Sequence, residues 1–251
     1  PAELERANGR RATVVAQQGQ LAEHVVAAQH GERGDIAERR SPLHDWHAAN
    51  GAAFIEAGAW KRAWWYRWAG ETVETAYVAE MQQVRRAAGI ADVSTLGKID
   101  IQGPDALEFI NRLYVNGFKS LQPGRARYGV MLADDGIVFD DGTTSRITDT
   151  HYFMTTTTAM AGEVMTWLEF LLETAWTDLK VHVSSLTDEW GAMSVAGPKS
   201  RAVLEAAFPG VDLANDAVPF MAVKDFSFDG TPIRLVRLSF SGELAFEVFT
   251  P

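Results

Sequence analysis

Two apolar runs, Tyr128–Leu132 and Ile137–Asp141, flank the sequence Ala133-Asp134-Asp135-Gly136. Asp-Gly between apolar runs predicts a β-hairpin. The second run ends in Asp140 and Asp141, followed by Gly142. A carboxylate pair at the end of an apolar strand is the first place to look for chemistry. In a strand the two point to opposite faces, so at most one enters a given pocket. The plain alternative is a pair of solvated or turn-capping aspartates.

The rest of the pattern alternates strands with helices. Val73, Ala76, Val78, Met81, Val84 and Ala88 have helical spacing within 71–89, with Glu71 and Glu74 at the start, Arg85 and Arg86 near the end, and Gly89 as the stop. Residues 90–103 read as two short strands. Gly103-Pro104 then opens a helix whose apolar face is Leu107, Phe109, Ile110 and Leu113. Past Asp141 the strand continues through GTTSRIT, and HYFMTTTT is another, its threonines Thr155–Thr158 feeding a helix N-cap before Ala159–Ala175. Strands are expected at Val181–Leu186 and Trp190–Ala196, and a second Gly-Pro pair, Gly197-Pro198, opens the helix KSRAVLEAAF. Val223–Phe228 and Pro232–Phe240 form a strand pair around DGTP, and ELAFEVF is the last strand. The strand–Gly-Pro–helix unit occurs twice, as KIDIQGPDALEFINRLY and AMSVAGPKSRAVLEAAF, which suggests an internal duplication in an α+β fold.

Composition narrows the class. The 251 residues are 47% hydrophobic and 22% charged, ordinary for a globular chain, and the formal charge of −10 argues against a general nucleic-acid binder. With no cysteine, disulfides, Cys-rich zinc sites and thiol nucleophiles are excluded, and a reducing, cytoplasmic setting is expected. No apolar run reaches the roughly 20 residues of a membrane span. Residues 1–40 are polar and read as an arm or linker. Residues 41–70 carry Trp46, Trp60, Trp64, Trp65 and Trp68 and are expected to pack on a neighbouring layer or dock to a partner subunit. His44 and His47 there have half-site metal spacing, but no further His or Cys lies near, and packing is the expected role. Residues 71–251 form the main domain. The chain begins at Pro1 and stops just after an apolar strand, so a fragment of a longer polypeptide is expected.

Glu247 is the lone charge in AFEVF. It is either a solvent-facing strand residue or a buried carboxylate that needs a partner. A carboxylate takes two parallel donors from a planar fork such as arginine, or from the amino-pyrimidinone edge of a pterin or guanine. Walker, G-x-G-x-x-G, G-x-S-x-G and His-Glu-x-x-His motifs are all absent.

Four ordered segments, IADVSTLGKIDIQGPDALEFINRL, LQPGRARYGVMLADDGIVFDD, MSVAGPKSRAVLEAAF and RLSFSGELAFEVFTP, resemble the folate-binding aminomethyltransferase family of the glycine-cleavage T-protein over about residues 75–251. PLHDWH…AGAWKRAWWY and SFSGELAFEV resemble more narrowly the C-terminal domain of the heterotetrameric sarcosine oxidase alpha subunit. Two departures from the aminomethyltransferase pattern favour that branch: Leu238–Leu244 where Gly-Tyr-Thr-Gly-Glu-Asp-Gly is usual, and Gly136-Ile137 where Gly-Gly is usual. The resemblance implies a folate-binding fold with its C-terminal barrel domain missing here. It implies a catalytic aspartate, Asp141 in preference to Asp140, and folate contacts at Glu247, Tyr128 and Thr155, with no metal. It further implies tetrahydrofolate as cofactor and an imine or formaldehyde-level donor made by sarcosine oxidation, giving 5,10-methylenetetrahydrofolate. Flavin and NAD are expected only on missing or partner parts, and other oxidase subunits are expected partners. The competing readings are a free-standing aminomethyltransferase of the glycine cleavage system and a non-catalytic folate-fold interaction module.

Overall fold

The computed structural model describes residues 13–14, 39–67 and 70–251. Most of the polar arm read at 1–40, and Trp68 of the Trp-rich segment, lie outside the described residues. In chain order the elements begin with β1 (Thr13–Val14), β2 (Arg39–Arg40), α1 (His44–Ala49), β3 (Ala52–Ala57) and β4 (Trp60–Tyr66). There follow α2 (Val73–Arg86), β5 (Gly89–Asp92), β6 (Gly97–Gln102) and α3 (Ala106–Leu113). Next come β7 (Arg125–Leu132), β8 (Val138–Thr148), β9 (His151–Thr156) and α4 (Ala161–Phe170), which runs into a π-helical turn at Leu171–Ala175. The chain ends with β10 (His182–Ser185), β11 (Gly191–Ala196), α5 (Ser200–Ala207), β12 (Val223–Phe228), β13 (Thr231–Val236) and β14 (Ala245–Thr250). The α+β alternation is the one read from the sequence.

The chain divides into two units, each made of three sequence segments. The first comprises the described residues up to Ser94, with Met193–Leu213 and Ser239–Glu247. In it the Trp-rich segment is a helix and a hairpin: β3 pairs antiparallel with β4, and β2 runs parallel to β4 on its other side. His44 packs its ring on Phe54 at 4.5 Å. His47 is buried between the Tyr66 hydroxyl, at 2.6 Å, and Asp92 Oδ2, at 3.0 Å. Asp92 also accepts from Ser41 Oγ at 2.6 Å and the Ser94 N–H at 2.9 Å. Burial is the largest single influence on this carboxyl and pushes its pKa up, but the bonds from His47, Ser41 and Ser94 together outweigh it and hold the pKa at about 2. Burial raises the Tyr66 phenol, and the charges of Glu80 and Asp92 add to that.

Helix α2 turns a different face inward than its spacing predicts. Ala76, Glu80 and Val84, four apart, are buried, while Val78 and Met81 are exposed with Tyr77. Gly89 is not the helix stop: α2 ends at Arg86 and Gly89 opens β5. Strand β5 pairs antiparallel with β11, Asp92 opposite Met193 and Gly89 opposite Ala196.

The second unit comprises Thr95–Ala192, Ala214–Leu238 and Val248–Pro251. Its centre is a five-stranded antiparallel sheet in the order β10-β6-β9-β8-β7. One sheet face carries Ile99, Ile101, Met131, Tyr152 and Met154, buried with Phe109, Ile110 and Leu113 of α3 and Val164 and Leu168 of α4. Each such side chain contributes roughly 1.5–3 kcal/mol on leaving water. Trp176 closes this core with its ring edge-on to Phe109 at 5.6 Å. Two sequence expectations shift here. Thr158 does not cap α4, whose N-cap is Met160; its hydroxyl meets that of Thr95 at 3.0 Å. Strand β13 stops at Val236 rather than running to Phe240.

Both Gly-Pro turns follow their strands as the duplication predicts. Gly103 has φ 146° and Gly197 has φ 116°. A Cβ on Gly103 would lie 2.1 Å from the Lys180 carbonyl oxygen, and one on Gly197 would lie 2.4 Å from that of Val84. Glycine is required at each position on both counts.

Candidate functional site

The hairpin β7–β8 sets the site by register. Tyr128 lies opposite Thr143 and Val130 opposite Asp141, so all four share one sheet face. Thr155 of β9 joins that face: its hydroxyl lies 2.9 Å from the Thr143 hydroxyl and accepts the Thr143 N–H at 3.1 Å. Lys98 of β6, fully buried, stands opposite Thr155. Its ammonium donates to the Leu96 carbonyl at 2.8 Å.

Tyr128 is 52% exposed, and its hydroxyl donates to Asp141 Oδ2 at 2.8 Å. The bond to Asp141 raises the Tyr128 phenol, with burial and the carboxylate charges adding to it. The phenol therefore stays protonated as a donor. Asn116 braces the strand from outside: its Nδ2 donates to the Tyr128 carbonyl at 2.9 Å and its Oδ1 accepts the Val130 N–H at 3.3 Å.

Asp140 takes the opposite face. It stands opposite the buried Met131 and is itself only 3% exposed. Its carboxylate accepts the Thr157 N–H at 3.1 Å and the Thr157 hydroxyl at 2.7 Å. Burial pushes the Asp140 carboxyl above its ordinary value, the Thr157 bonds oppose this, and the neighbouring Asp141 charge adds to the rise. The two adjacent aspartates thus occupy different media, one in the interior and one half-exposed beside a phenol.

Two glycines allow the strands to carry these groups. A Cβ on Gly142, between Asp141 and Thr143, would lie 1.9 Å from the Thr155 carbonyl oxygen, so only glycine lets β8 approach β9 there. On Gly129 a Cβ would lie 2.6 Å from the Tyr114 ring, whose hydroxyl accepts from Thr144 Oγ1 at 3.1 Å.

Of the residues singled out from sequence, Tyr128, Asp141 and Thr155 thus share one face, and Asp140 faces away. Glu247 lies on β14 in the first unit and is half-buried. Sequence reasoning did not single out Thr143 and Thr157. Thr143 was within reach, because it sits two residues beyond Asp141 on the same strand and so on the same face. Thr157 had no such signal, since its pairing with Asp140 spans strand ends. Among the described residues no group of three or more His, Cys, Asp or Glu could hold a metal ion. Nor is any helix among them long and apolar enough to cross a membrane.

Comparison with known proteins identifies the family. Residues 43–251 match the model of the GCVT N-terminal domain. The chain is 48% identical over 216 residues to the sarcosine oxidase subunit alpha of Rhizobium meliloti (strain 1021), covering 85% of this chain but 22% of that protein. It is 31% identical over 214 residues to the aminomethyltransferase of Mycobacterium leprae (strain Br4923), covering 84% of this chain and 53% of the other. The crystal structure of glycine cleavage system aminomethyltransferase T from Bartonella henselae superposes with a TM-score of 0.71 at 24% identity, over 85% of this chain and 54% of that one. The last likeness shows the fold. The chain spans about a fifth of the length of the oxidase subunit it matches. With the family model matching from the start of α1 through the last strand, the chain belongs to the GCVT N-terminal domain family.

Proposed function

We propose that this chain is the folate-dependent one-carbon acceptor domain of a sarcosine oxidase alpha subunit. The observation that carries the reading is the Tyr128–Asp141 pair, held with Thr143 and Thr155 on one face of an antiparallel sheet. A carboxylate fixed by a phenol and flanked by paired hydroxyls suits a polar, nitrogen-rich ligand that develops positive charge as it reacts. Identity to the oxidase subunit, 48%, exceeds the 31% to the aminomethyltransferase, which favours the oxidase branch.

Tetrahydrofolate would supply the nitrogen pair that takes up a one-carbon unit at the formaldehyde level, leaving as 5,10-methylenetetrahydrofolate. The residues that would hold it are Glu247, Tyr128 and Thr155. Glu247 accepts from the pterin N3–H and 2-amino group, which fixes the ring's orientation. Tyr128 would offer its exposed ring face while its hydroxyl donates to Asp141. Asp141 would provide negative charge for the reacting nitrogens, and Thr155 would contribute a hydroxyl. Asp140, the second catalytic candidate, acts from behind the strand. Sarcosine oxidation at a flavin takes place on other parts of the assembly, in the cytoplasm. Residues 71–251 form the folate domain, 1–40 an arm and 41–70 a docking segment for partner subunits. In that segment Trp60 is buried and Trp46 is 49% exposed.

The test is tetrahydrofolate binding by the full-length polypeptide with its accompanying subunits, wild type against Glu247→Gln and Asp141→Asn. Glu247→Gln is expected to weaken binding at least tenfold, about 1.4 kcal/mol for a lost charge-assisted bond. Asp141→Asn is expected to bind folate and to lose methylenetetrahydrofolate formation. No binding by the wild type sinks the reading and leaves the non-catalytic module. Turnover that depends on a lipoyl carrier protein instead of an N-methyl amine selects the aminomethyltransferase.

A further inference from the structure

We infer that Asp140 is a positioning residue, whose carboxylate, clamped by Thr157, fixes the strand segment that presents Asp141. The inference rests on the folate reading above and adds a role that the motif alone does not give. The Asp140 side chain leaves β8 on the face opposite Asp141 and stands against Met131 in the apolar interior. Reactants on the Asp141 face are therefore out of its reach. Both of its oxygens are engaged by one residue, Thr157, through the backbone N–H and the hydroxyl.

Thr157 follows the last residue of β9, so the clamp ties β8 to the end of the neighbouring strand. Two residues beyond Asp141, the Thr143–Thr155 pair ties the same two strands again from the other face. Asp141 sits between these ties, and Gly142 lets the strands close. Its backbone is held on both sides, and its carboxylate is held by Tyr128. A reacting carboxylate gains from being fixed to within about 0.5 Å by such supporting bonds. A buried carboxylate in an apolar core is otherwise costly to the fold, and a valine or leucine there would pack without that cost. Positional control of the next residue accounts for its presence.

The experiment measures methylenetetrahydrofolate formation by the full-length polypeptide with its accompanying subunits. Turnover is expressed per mole of bound tetrahydrofolate, so that unfolded protein does not enter. Asp140→Asn keeps an acceptor for the Thr157 N–H and a donor for its hydroxyl, and kcat is expected to fall by no more than about tenfold with KM for tetrahydrofolate within about twofold. Thr157→Val is expected to lower kcat about tenfold at unchanged KM, and Thr157→Ser to restore it to within about twofold. Asp141→Asn is expected to lower kcat at least about 100-fold. Asp140→Asn as inactive as Asp141→Asn would make Asp140 the reacting group and overturn the inference. Full kcat in Thr157→Val, or a loss that Thr157→Ser does not restore, overturns it as well. If Asp140→Asn does not fold, the two Thr157 variants decide. Wild-type protein that binds no tetrahydrofolate removes the folate reading itself, an outcome separate from any pattern among the variants.

Discussion

The two strand–Gly-Pro–helix copies share their turn and differ in what fastens them. Both glycines sit at positive φ against a carbonyl oxygen, and both helices close the turn with the same bond, from Ala106 N–H to Gly103 and from Ser200 N–H to Gly197. In the second unit, α3 buries Ala106, Phe109, Ile110 and Leu113 in the apolar core. In the first unit, α5 buries only Ser200 and Leu204. Its strand β11 instead pairs with β5, whose Asp92 gathers Ser41, His47 and Ser94. One copy is held by burial of hydrocarbon and the other beside a buried polar network. A repeated backbone motif thus fixes chain direction, while the helix faces are free to diverge with their surroundings.

Four substitutions test that contrast, from the largest effect down. Phe109→Ala is expected to cost about 3–5 kcal/mol by leaving a cavity, while Val203→Ala at the matching place in α5, already 37% exposed, costs less than about 0.5 kcal/mol; thermal melting of the two variants checks this. Equal losses would break the comparison. Gly103→Ala and Gly197→Ala are each expected to cost at least about 2 kcal/mol in denaturant titrations, because the turn is what the copies share. A harmless substitution at either one would show that the shared turn is dispensable.

Acid distinguishes the polar network. The folded-state pKa of Asp92, about 2, lies below its unfolded value near 4, so the folded state binds this proton less readily. Its contribution, about 2 kcal/mol, is present above pH 4 and is lost as the pH falls through about 2. Asp92→Asn is expected to lose that amount at pH 7 and to converge with wild type at the acid end, as read by stability measured against pH. A constant gap across the whole range would deny the carboxylate its role. The smallest effect concerns the helix starts. Asp105 accepts the Lys180 N–H at 2.8 Å, so Asp105→Ala is expected to cost about 1 kcal/mol, while Lys199→Ala at the matching position costs less than about 0.5 kcal/mol.

Much of this molecule is legible in its sequence because the signals are local. Asp134-Asp135-Gly136 places the hairpin turn, with Gly136 at φ 82°. The two Gly-Pro pairs place the starts of α3 and α5, and Tyr128, Asp141 and Thr155 are marked by the motif that surrounds them. The α2 face was misread because its apolar positions form a broad band, and only packing selects the Ala76, Glu80, Val84 stripe from it. The end of the Thr155–Thr158 run is ambiguous in sequence because threonines suit a strand end and a helix cap alike, and tertiary contact with Thr95 decides the place of Thr158.

By itself the sequence determined the order of elements, the duplication, the family resemblance and the fact that Asp140 and Asp141 must face opposite ways. That last point follows from the period of two in a strand, whatever the surroundings. Which aspartate is buried was decided by tertiary structure alone. The choice depends on the core formed by α3 and α4 covering the Met131 face of the sheet, and on Thr157 arriving from the next strand to satisfy the carboxylate. Neither the covering helices nor Thr157 is adjacent to Asp140 in the chain, so no local pattern records the outcome.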